Sequence, residues 1–492
     1  MFYFEDAPER EPIEKLALWP GACQALLVIV VRRSSFALIA LLIFACGNGA
    51  PYAADRAPSA IAARARGSAS RAPARATEGD DAKNAKSDTD DAGEAKALGS
   101  MVSAPAEPLP IRPATIERPE ALRHFFESLA RLEDGGARED VLMVQLGDSH
   151  TAADIGTSAA RRALQGRFGD GGRGFVALGN PWKNYGQDGV RGGMTRDIKG
   201  EHGKYTLGQF VGDGRYGMAG FAIEATRKKG RAWSDISSSA SRIDLAYLEQ
   251  PGGGSFDVFI DEVKKGSVST RGHTARSAFR TFDASDGPHR VEARMKGDGP
   301  VRLFGLGLDR PKVGLVFDAL GINGARATTL LQWQEPHMAE QLRHRPPDLV
   351  VLAYGTNEAG DDTPLPIYER QLLDALARIA RAVPTASCLL LGPPDRGMET
   401  PQGWVTLPHL LEIIESQRAV AKTAGCAFYS QLEAMGGPGS IATWVDEAQP
   451  RARRDYVHLT REGYTQLGQG MASDLLRAYE TFRGDSSLIS KR

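Results

Sequence analysis

The residues best able to do chemistry are a serine, a histidine and an aspartate in two short blocks. Gly-Asp-Ser-His at 147–150 follows the apolar run 141–146 and precedes a helical pattern, which predicts a tight strand-to-helix turn at Ser149. A serine on such a turn can act as a nucleophile, and the backbone N–H groups beside it can hold an oxyanion. The same pattern also fits a helix N-cap, so this block alone leaves both roles open.

Asp455 and His458 could supply the base that a serine nucleophile needs. They lie three residues apart near the C-terminus, a spacing that brings both side chains to one face of a helical turn or tight loop. A serine hydroxyl is a weak nucleophile near its free pKa, and a histidine oriented by a carboxylate activates it. Taken singly, the two residues could also be an ordinary surface pair.

An asparagine and a glycine loop could complete the site. The apolar run 348–354 ends in Gly-Thr-Asn-Glu at 355–358, where the Asn357 amide could donate to an oxyanion or serve only in a turn. The loop 321–326 follows another apolar run and contains Gly321 and Gly324. All the blocks together favour one hydrolytic site over separate structural roles.

These blocks resemble those of the SGNH (GDSL-type) hydrolases, and within them the bacterial peptidoglycan O-acetylesterases. The resemblance implies that Ser149 attacks an ester carbonyl, that His458 takes and returns the proton, and that Asp455 supports His458. It also implies an oxyanion hole formed by the Ser149 N–H, the Gly324 N–H and the Asn357 amide. Gly321 is the alternative to Gly324.

The segments around the blocks predict a mostly parallel sheet with helices on both faces. Helices are expected at Pro366–Val383, Leu407–Ala424 and Thr460–Phe482, and strands at Cys388–Leu391 and Ala427–Tyr429. Alternating strands and helices are typical of α/β folds, whose sites lie at the carboxyl ends of the strands. The expected fold class is the SGNH three-layer α/β/α type.

An insertion of more than a hundred residues separates the serine block from the glycine loop. From about 197 to 310 the helical period is replaced by short alternating runs, bounded by turn clusters such as Asp286–Pro288. They predict an inserted β-sandwich, and the family resemblance suggests a carbohydrate-module-like jelly roll. Although most aromatic residues of a sandwich belong to its core, four are candidates for stacking on sugars: Tyr205, Tyr216, Trp233 and Tyr247.

The N-terminal segment is typical of an exported protein. The apolar run 36–46 follows Arg32 and Arg33 like the core of an export signal. Residues 25–31 could extend it into an uncleaved membrane anchor, although the two arginines between the runs oppose this. Residues 43–47 loosely match a lipoprotein cleavage box, and translation could start nearer Val31. A membrane tether through this N-terminal segment is therefore a possible outcome of the sequence pattern.

The expected organisation has five segments. An export signal or membrane anchor at 1–50 is followed by a disordered linker at 51–110, which has almost no large apolar side chains. The catalytic domain comes in two parts, 111–196 and 311–484, with the inserted sandwich at 197–310 between them.

Composition excludes one class of partner and leaves two questions open. A formal net charge of −1 gives no basic field, so nucleic-acid binding is not expected. No cysteine or histidine spacing suggests a metal site, and no cofactor is expected. Cys388 and Cys426 lie in strand-like runs, where the sequence favours two buried free thiols over a disulfide. His150, beside the nucleophile, either tunes the pocket or merely packs.

The predicted function is an exported serine esterase of the periplasm or cell envelope. Its partner would be an O-acetylated glycan, peptidoglycan above all, from which it removes acetyl groups through an acyl-serine intermediate. One alternative is a polysaccharide O-acetyltransferase, which would pass the acetyl group to a sugar hydroxyl instead of water. A second is a non-catalytic glycan-binding protein that acts through the insert. A long-chain lipase is disfavoured because no continuous apolar lid segment is visible.

Overall fold

The computed structural model describes residues 25–28, 41–44 and 112–489, with gaps at 184, 203, 207–208, 227–229 and 362. The predicted linker and most of the predicted signal lie outside the described residues. The chain divides into two units, 1–99 and 100–492. In the first, Ala25–Val28 pairs antiparallel with Leu41–Phe44. Within the described ranges, no helix is both long and apolar enough to cross a membrane.

Five parallel strands form the central sheet of the second unit. Across the sheet they are Leu315–Gly321, Val141–Gly147, Leu349–Ala353, Ser387–Gly392 and Ala427–Ser430. Numbered along the chain, this order is 2-1-3-4-5, which has its switch point between the first and third strands. Ligands of such sheets bind beyond the carboxyl ends of the strands at that point. The serine and asparagine blocks follow these two strands directly and therefore lie there.

Helices cover both faces of this sheet. Val141 and Met143 point into one apolar core, whereas Leu142 and Val144 point into the other. Burial on both faces explains why the strands are almost continuously apolar in sequence. The predicted α/β fold with a parallel sheet is confirmed. The α-helices are Arg123–Glu133, Ser149–Ala152, Ile155–Phe168, Glu335–His344, Thr356–Ala359, Leu365–Ala382, Pro408–Ala424, Gln431–Met435, Ser440–Asp446 and Arg461–Ile489, with 3-10 turns at Pro119–Leu122 and Ala327–Gln332.

The helix Arg461–Ile489 continues beyond the predicted end at Phe482. Its apolar stripe includes Tyr464, Leu467 and Met471, which are buried against the sheet as the periodicity indicates. Beyond that stripe, the Arg483 guanidinium donates two hydrogen bonds of 2.9 Å to Asp134. The contact lies in the part of the helix beyond Phe482. Apolar periodicity cannot predict a helical extension that is held by polar side chains.

The insertion forms an eight-stranded antiparallel sheet. Its strands are Val190–Met194, Ile198–His202, Phe221–Ala225, Arg231–Glu249, Ser255–Ile260, Val263–Ser269, Arg276–Met295 and Val301–Asp309. Two separate ladders join Lys204–Thr206 to Gln209–Val211 and Gly397–Thr400 to Gly403–Thr406. The first strand of the sheet begins ahead of residue 197, where the insert was predicted to start.

The turn predicted at Asp286–Pro288 is wrong. These residues lie inside the strand Arg276–Met295, which stays paired with Arg231–Glu249 through register shifts between Asp283 and His289. A β-bulge takes up the extra residues and accommodates glycine and proline without ending the strand. Local turn chemistry cannot distinguish such a bulge from a chain reversal.

The two long strands have different neighbours on the two sides of this bulge. On one side Arg276–Met295 pairs with Ser255–Ile260, and on the other Arg231–Glu249 pairs with Val301–Asp309. Side chains from both halves, such as Phe282 and Val291, nevertheless belong to one apolar core. The sheet is therefore bent around that core.

Cys388 and Cys426 form a disulfide, so the expectation of two free thiols is wrong. Leu389 lies opposite Ala427 on neighbouring parallel strands, so the cysteines that precede these residues face each other. Their Cα atoms are 4.7 Å apart, within the range that a disulfide spans. The sequence indicates two apolar strands but not their register, and the register decides this bond.

Candidate active site

Ser149 is the first residue of the short helix Ser149–Ala152, directly beyond a central strand. Asp148 caps this helix, because its carboxylate accepts a hydrogen bond of 2.9 Å from the His150 N–H. Gly147 makes the tight turn possible, since a Cβ there would lie 2.2 Å from the Thr151 Oγ1. The turn therefore holds the serine at the carboxyl edge of the sheet.

The structure brings Ser149, His458 and Asp455 together. The Ser149 Oγ donates to the His458 Nε2 at 3.0 Å, and the His458 Nδ1 donates to the Asp455 Oδ2 at 2.9 Å. Both distances lie within the range for a nucleophile, its general base and the group that orients the base. This arrangement can deprotonate the serine as it attacks a carbonyl carbon.

The segment that carries Asp455 and His458 is a tight loop rather than a helical turn. Tyr456 has a φ of 54°, a left-handed conformation that costs about 1–2 kcal/mol for a side chain with a Cβ. In this conformation the N–H groups of Val457 and His458 donate to the Asp455 Oδ1 at 2.9 and 2.8 Å. The carboxylate thus fixes the loop as well as the imidazole.

The hydrogen bonds also keep Asp455 ionised. Partial burial acts to raise the pKa of its carboxyl, but the bonds from His458 and Val457 hold that pKa well below its usual range. The side chains of His458 and Asp455 are 36% and 46% exposed. The triad therefore opens to solvent, where a bulky ester can reach it.

Asn357 contacts the glycine loop. Its Nδ2 donates to the Ala325 carbonyl at 2.9 Å, which uses one of the two amide hydrogens. The Glu358 carboxylate binds the same loop by accepting from the Ala327 N–H at 2.8 Å. The asparagine block and the glycine loop therefore form one wall of the site.

The two candidate glycines differ in what surrounds them. Gly324 has a φ of 74° and lies in a turn closed by a 3.0 Å hydrogen bond from the Ala325 N–H to the Ile322 carbonyl. No hydrogen bond joins Gly324 to the triad within the described residues. Gly321 packs against the nucleophile helix, since a Cβ there would lie 2.1 Å from the Ala152 backbone nitrogen. This close packing explains why residue 321 is a glycine without a role in the oxyanion hole.

His150 packs beside the triad as a neutral ring. Its Nδ1 is 2.9 Å from the Tyr464 hydroxyl, and its ring centroid is 5.4 Å from that of His458. Burial lowers its pKa to about 3, so it is uncharged at neutral pH. Its Nε2 has no hydrogen-bond partner in the described part of the chain, and a cavity of about 40 Å³ lies beside it.

Sequence reasoning missed the hairpin that supports the triad loop. The Trp404 ring stacks on the Tyr456 ring with centroids 3.6 Å apart and planes 6° apart. The Gly397 N–H donates to the Tyr456 carbonyl at 2.8 Å. The available signal was a short alternating run beside Gly403, a pattern that indicates a hairpin but not what it contacts.

The aromatic residues of the insert have mixed surroundings. Tyr216 is a core residue with 2% exposure. Trp233 lies beneath the Arg290 guanidinium, 5.2 Å from its ring centroid, and Tyr247 meets Phe256 edge-on. The Tyr205 side chain lies outside the described residues.

The chain matches a family of known enzymes. Residues 295–466 match the GDSL-like Lipase/Acylhydrolase family, a stretch that contains the asparagine block and the loop of Asp455 and His458 and begins beyond Ser149. The chain therefore carries a GDSL-like acylhydrolase domain, as its motifs predict, and it is an ester hydrolase of the SGNH type.

One solved structure extends this resemblance to more of the chain. A peptidoglycan O-acetylesterase is 25% identical in sequence, covers 74% of this chain and 99% of its own, and has a TM-score of 0.64. A family two carbohydrate esterase from Cellvibrio japonicus is 12% identical and covers 59% of this chain and 99% of its own, at a TM-score of 0.25. None of the curated proteins matches the chain significantly.

Proposed function

We propose that this protein is an exported serine esterase that removes O-acetyl groups from peptidoglycan. The observation that carries the proposal is the pair of hydrogen bonds from Ser149 to His458 and from His458 to Asp455. The similarity to a peptidoglycan O-acetylesterase supports the substrate. The open triad suits an ester on a polymer better than a small substrate that must be enclosed.

Acylation begins when the Ser149 Oγ attacks the acetyl carbonyl carbon and the His458 Nε2 takes the hydroxyl proton. The carbonyl oxygen becomes an oxyanion, which the Ser149 N–H, the Gly324 N–H and the Asn357 amide stabilise. Removing one such donor from a hydrolase typically slows turnover about 10²–10³-fold. Asp455 stays ionised throughout and stabilises the imidazolium.

Collapse of the intermediate breaks the bond between the acyl carbon and the sugar oxygen. His458 returns its proton to that oxygen, which leaves a sugar hydroxyl and an acetyl-serine at Ser149. Water then attacks the acetyl carbon while His458 takes its proton. Ser149 leaves with that proton, acetate departs, and the free enzyme is restored.

The insert serves in this proposal as a carbohydrate-binding β-sandwich. The bend of its sheet around a shared core supports a jelly-roll arrangement. We propose a catalytic domain in two parts, 111–196 and 311–484, around an insert at 197–310 whose sheet also takes in the strand Val190–Met194. Its neighbouring position in the chain would let it hold the polymer while the triad acts on an ester.

Export of the protein is supported by the disulfide between Cys388 and Cys426. Such bonds persist in the periplasm and at the cell surface and are rare in the reducing cytosol of mesophiles. The N-terminal segment would direct the export and could also tether the enzyme to a membrane. Cell fractionation of the full chain tests this: recovery in the periplasm or envelope supports export, and recovery in the cytosol contradicts it.

Acetate release from O-acetylated peptidoglycan tests the activity directly. Ser149→Ala should lower the rate at least about 10³-fold, because the loss of the nucleophile leaves only oxyanion and substrate binding. Ser473→Ala, which alters an exposed serine on the long C-terminal helix, is the matched control and should retain the wild-type rate.

Two results would reject the proposal. Residual activity of Ser149→Ala near the wild-type rate would exclude an acyl-serine mechanism. Absence of acetate release by the wild type, combined with transfer of acetyl groups to added sugar acceptors, would assign the protein as an acetyltransferase.

A further inference from the structure

A groove runs from chain neighbours of the catalytic residues onto the antiparallel sheet. Its volume is about 760 Å³, within the range of clefts that bind ligands. Ala153, one helical turn beyond Ser149, and Arg461, three residues beyond His458, line its catalytic end. Its other end is lined by residues of the sheet and adjacent loops, among them Gly189, Arg191, Asp235, His289 and Arg290.

The acidic side chains of this groove already have basic partners. Asp188 lies 2.9 Å from Arg162, Asp235 lies 2.6 Å from Arg290, and Asp261 lies 2.7 Å from His289. These pairs leave the carboxylates of the groove with little free charge to repel an anionic ligand.

Two arginines of the groove have no such partner. The guanidinium groups of Arg191 and Arg461 are exposed, and neither pairs with a carboxylate within the described residues. Arg461 is also the first residue of the helix Arg461–Ile489, where the helix dipole makes a cation unfavourable. An anion bound in the groove would offset this cost, so the groove has the electrostatics of an anion site.

We infer that this groove binds the substrate polymer and that Arg461 at one end and Arg191 at the other each bind a carboxylate carried by that polymer. The inference rests on the proposed function, because the bound chain must present its acetyl ester to Ser149. Guanidinium groups bind carboxylates through paired, charge-assisted hydrogen bonds. The groove therefore selects an acidic acetylated glycan, such as peptidoglycan, over a neutral one, such as unbranched acetylated xylan.

The double variant Arg191→Gln/Arg461→Gln of the full chain tests this inference. Its kcat/KM on O-acetylated peptidoglycan, divided by its kcat/KM on p-nitrophenyl acetate, should fall about tenfold, because exposed ion pairs contribute up to about 1 kcal/mol each. The fall should appear in KM rather than kcat. Since salt screens exposed charges, raising the NaCl concentration should lower the activity ratio of the wild type toward that of the variant.

Arg343→Gln/Arg370→Gln is the matched control. It removes the same two charges from exposed helical positions outside the groove, and neither arginine has an ion-pair partner within the described residues. Its activity ratio should equal that of the wild type. A fall as large as that of the groove variant would mean that net charge, not the groove, attracts the polymer.

Amidated peptidoglycan identifies the recognised group. When the carboxylates of the polymer are converted to amides, the kcat/KM of the wild-type enzyme should fall by the same factor that the groove substitutions cost on the unmodified polymer. The kcat/KM of the groove variant should not fall further. An additional equal loss in the variant would overturn the inference. Amidase cleavage removes the peptide carboxylates and frees the lactyl carboxylate of the sugar to which each peptide was attached. Dependence on the arginines that vanishes on the resulting glycan strands assigns the recognised carboxylates to the peptide, and dependence that persists shows that the arginines also accept the lactyl carboxylate.

The small ester separates the failure of this inference from failure of the proposed function. If the wild type hydrolyses p-nitrophenyl acetate and peptidoglycan while the groove variant keeps the wild-type ratio, the groove inference is wrong and the esterase proposal stands. If the wild type releases no acetate from either substrate, the proposed function itself fails.

Discussion

Two side chains next to the nucleophile are ionisable, yet the fold makes both uncharged over much of the ordinary pH range. Burial raises the pKa of Asp148 to about 7, with the nearby Glu358 carboxylate adding to the shift, and lowers that of His150 to about 3. Neither lies between Ser149 and Asp455 as His458 does, so neither can replace it as the general base. The chemistry of the Gly-Asp-Ser-His block therefore centres on its serine.

The raised pKa of Asp148 predicts a pH-dependent stability. The unfolded carboxyl ionises near pH 4 and the folded one only near pH 7, so the folded state binds more protons in between and the free energy of unfolding falls as pH rises. Asp148→Asn keeps an oxygen for the His150 N–H and removes this titration. Relative to the wild type, the variant should gain about 1.4 kcal/mol for each pH unit between 4 and 7.

Denaturant unfolding of both proteins at several pH values in that window measures this difference. Asp446→Asn, at an exposed position, is the control and should follow the wild-type slope. A stability difference between Asp148→Asn and the wild type that stays constant from pH 4 to pH 7 would show that Asp148 is already ionised in the folded protein.

At the scale of elements, the hairpin formed by Gly397–Thr400 and Gly403–Thr406 supports the triad loop. Its Trp404 covers Tyr456, the residue that adopts the left-handed conformation between Asp455 and His458. A backbone hydrogen bond from the Gly397 N–H to the Tyr456 carbonyl adds a second attachment. The hairpin therefore positions the base without contacting the reacting atoms.

Trp404→Ala should lower kcat on p-nitrophenyl acetate about tenfold or more, because small displacements of a catalytic base are costly. KM should change less, since the indole has no role in binding this small ester. Trp404→Phe keeps an aromatic ring over Tyr456 and should restore most of the rate. If both variants lost the same activity, or if only KM rose, Trp404 would have a different role from positioning.

At the scale of the whole molecule, a disulfide joins the last two strands of the central sheet, Ser387–Gly392 and Ala427–Ser430. Cys388 and Cys426 are separated by 38 residues and lie at the amino ends of their strands, opposite the carboxyl edge that carries the triad. The bond therefore contributes to the stability of the fold without forming part of the site.

Replacing both cysteines, as Cys388→Ala/Cys426→Ala, should lower the free energy of unfolding by about 4 kcal/mol on the loop-entropy model for this separation. Guanidinium unfolding measures the loss, and the wild type with a reductant should approach the variant. Ester hydrolysis at 25 °C should stay at the wild-type rate. A variant as stable as the oxidised wild type would contradict this account.

Much of the fold and of the candidate site could be predicted from the sequence because the relevant signals are local. The helices at 365–382 and 408–424 show their apolar period within a few turns. The blocks around Ser149, Asn357 and His458 carry their chemistry within four residues each, and the first two follow strands that are almost wholly apolar. Such patterns need no knowledge of distant parts of the chain.

The tertiary structure decided what depends on distant residues meeting. Strand register formed the disulfide, a bulge replaced the turn at Asp286–Pro288, and the hairpin reached Tyr456. Ser149 and His458 are separated by 309 residues along the chain, so only folding sets their distance. The pKa values of Asp148 and His150 likewise follow from burial by other elements, because desolvation depends on the complete surroundings of a group.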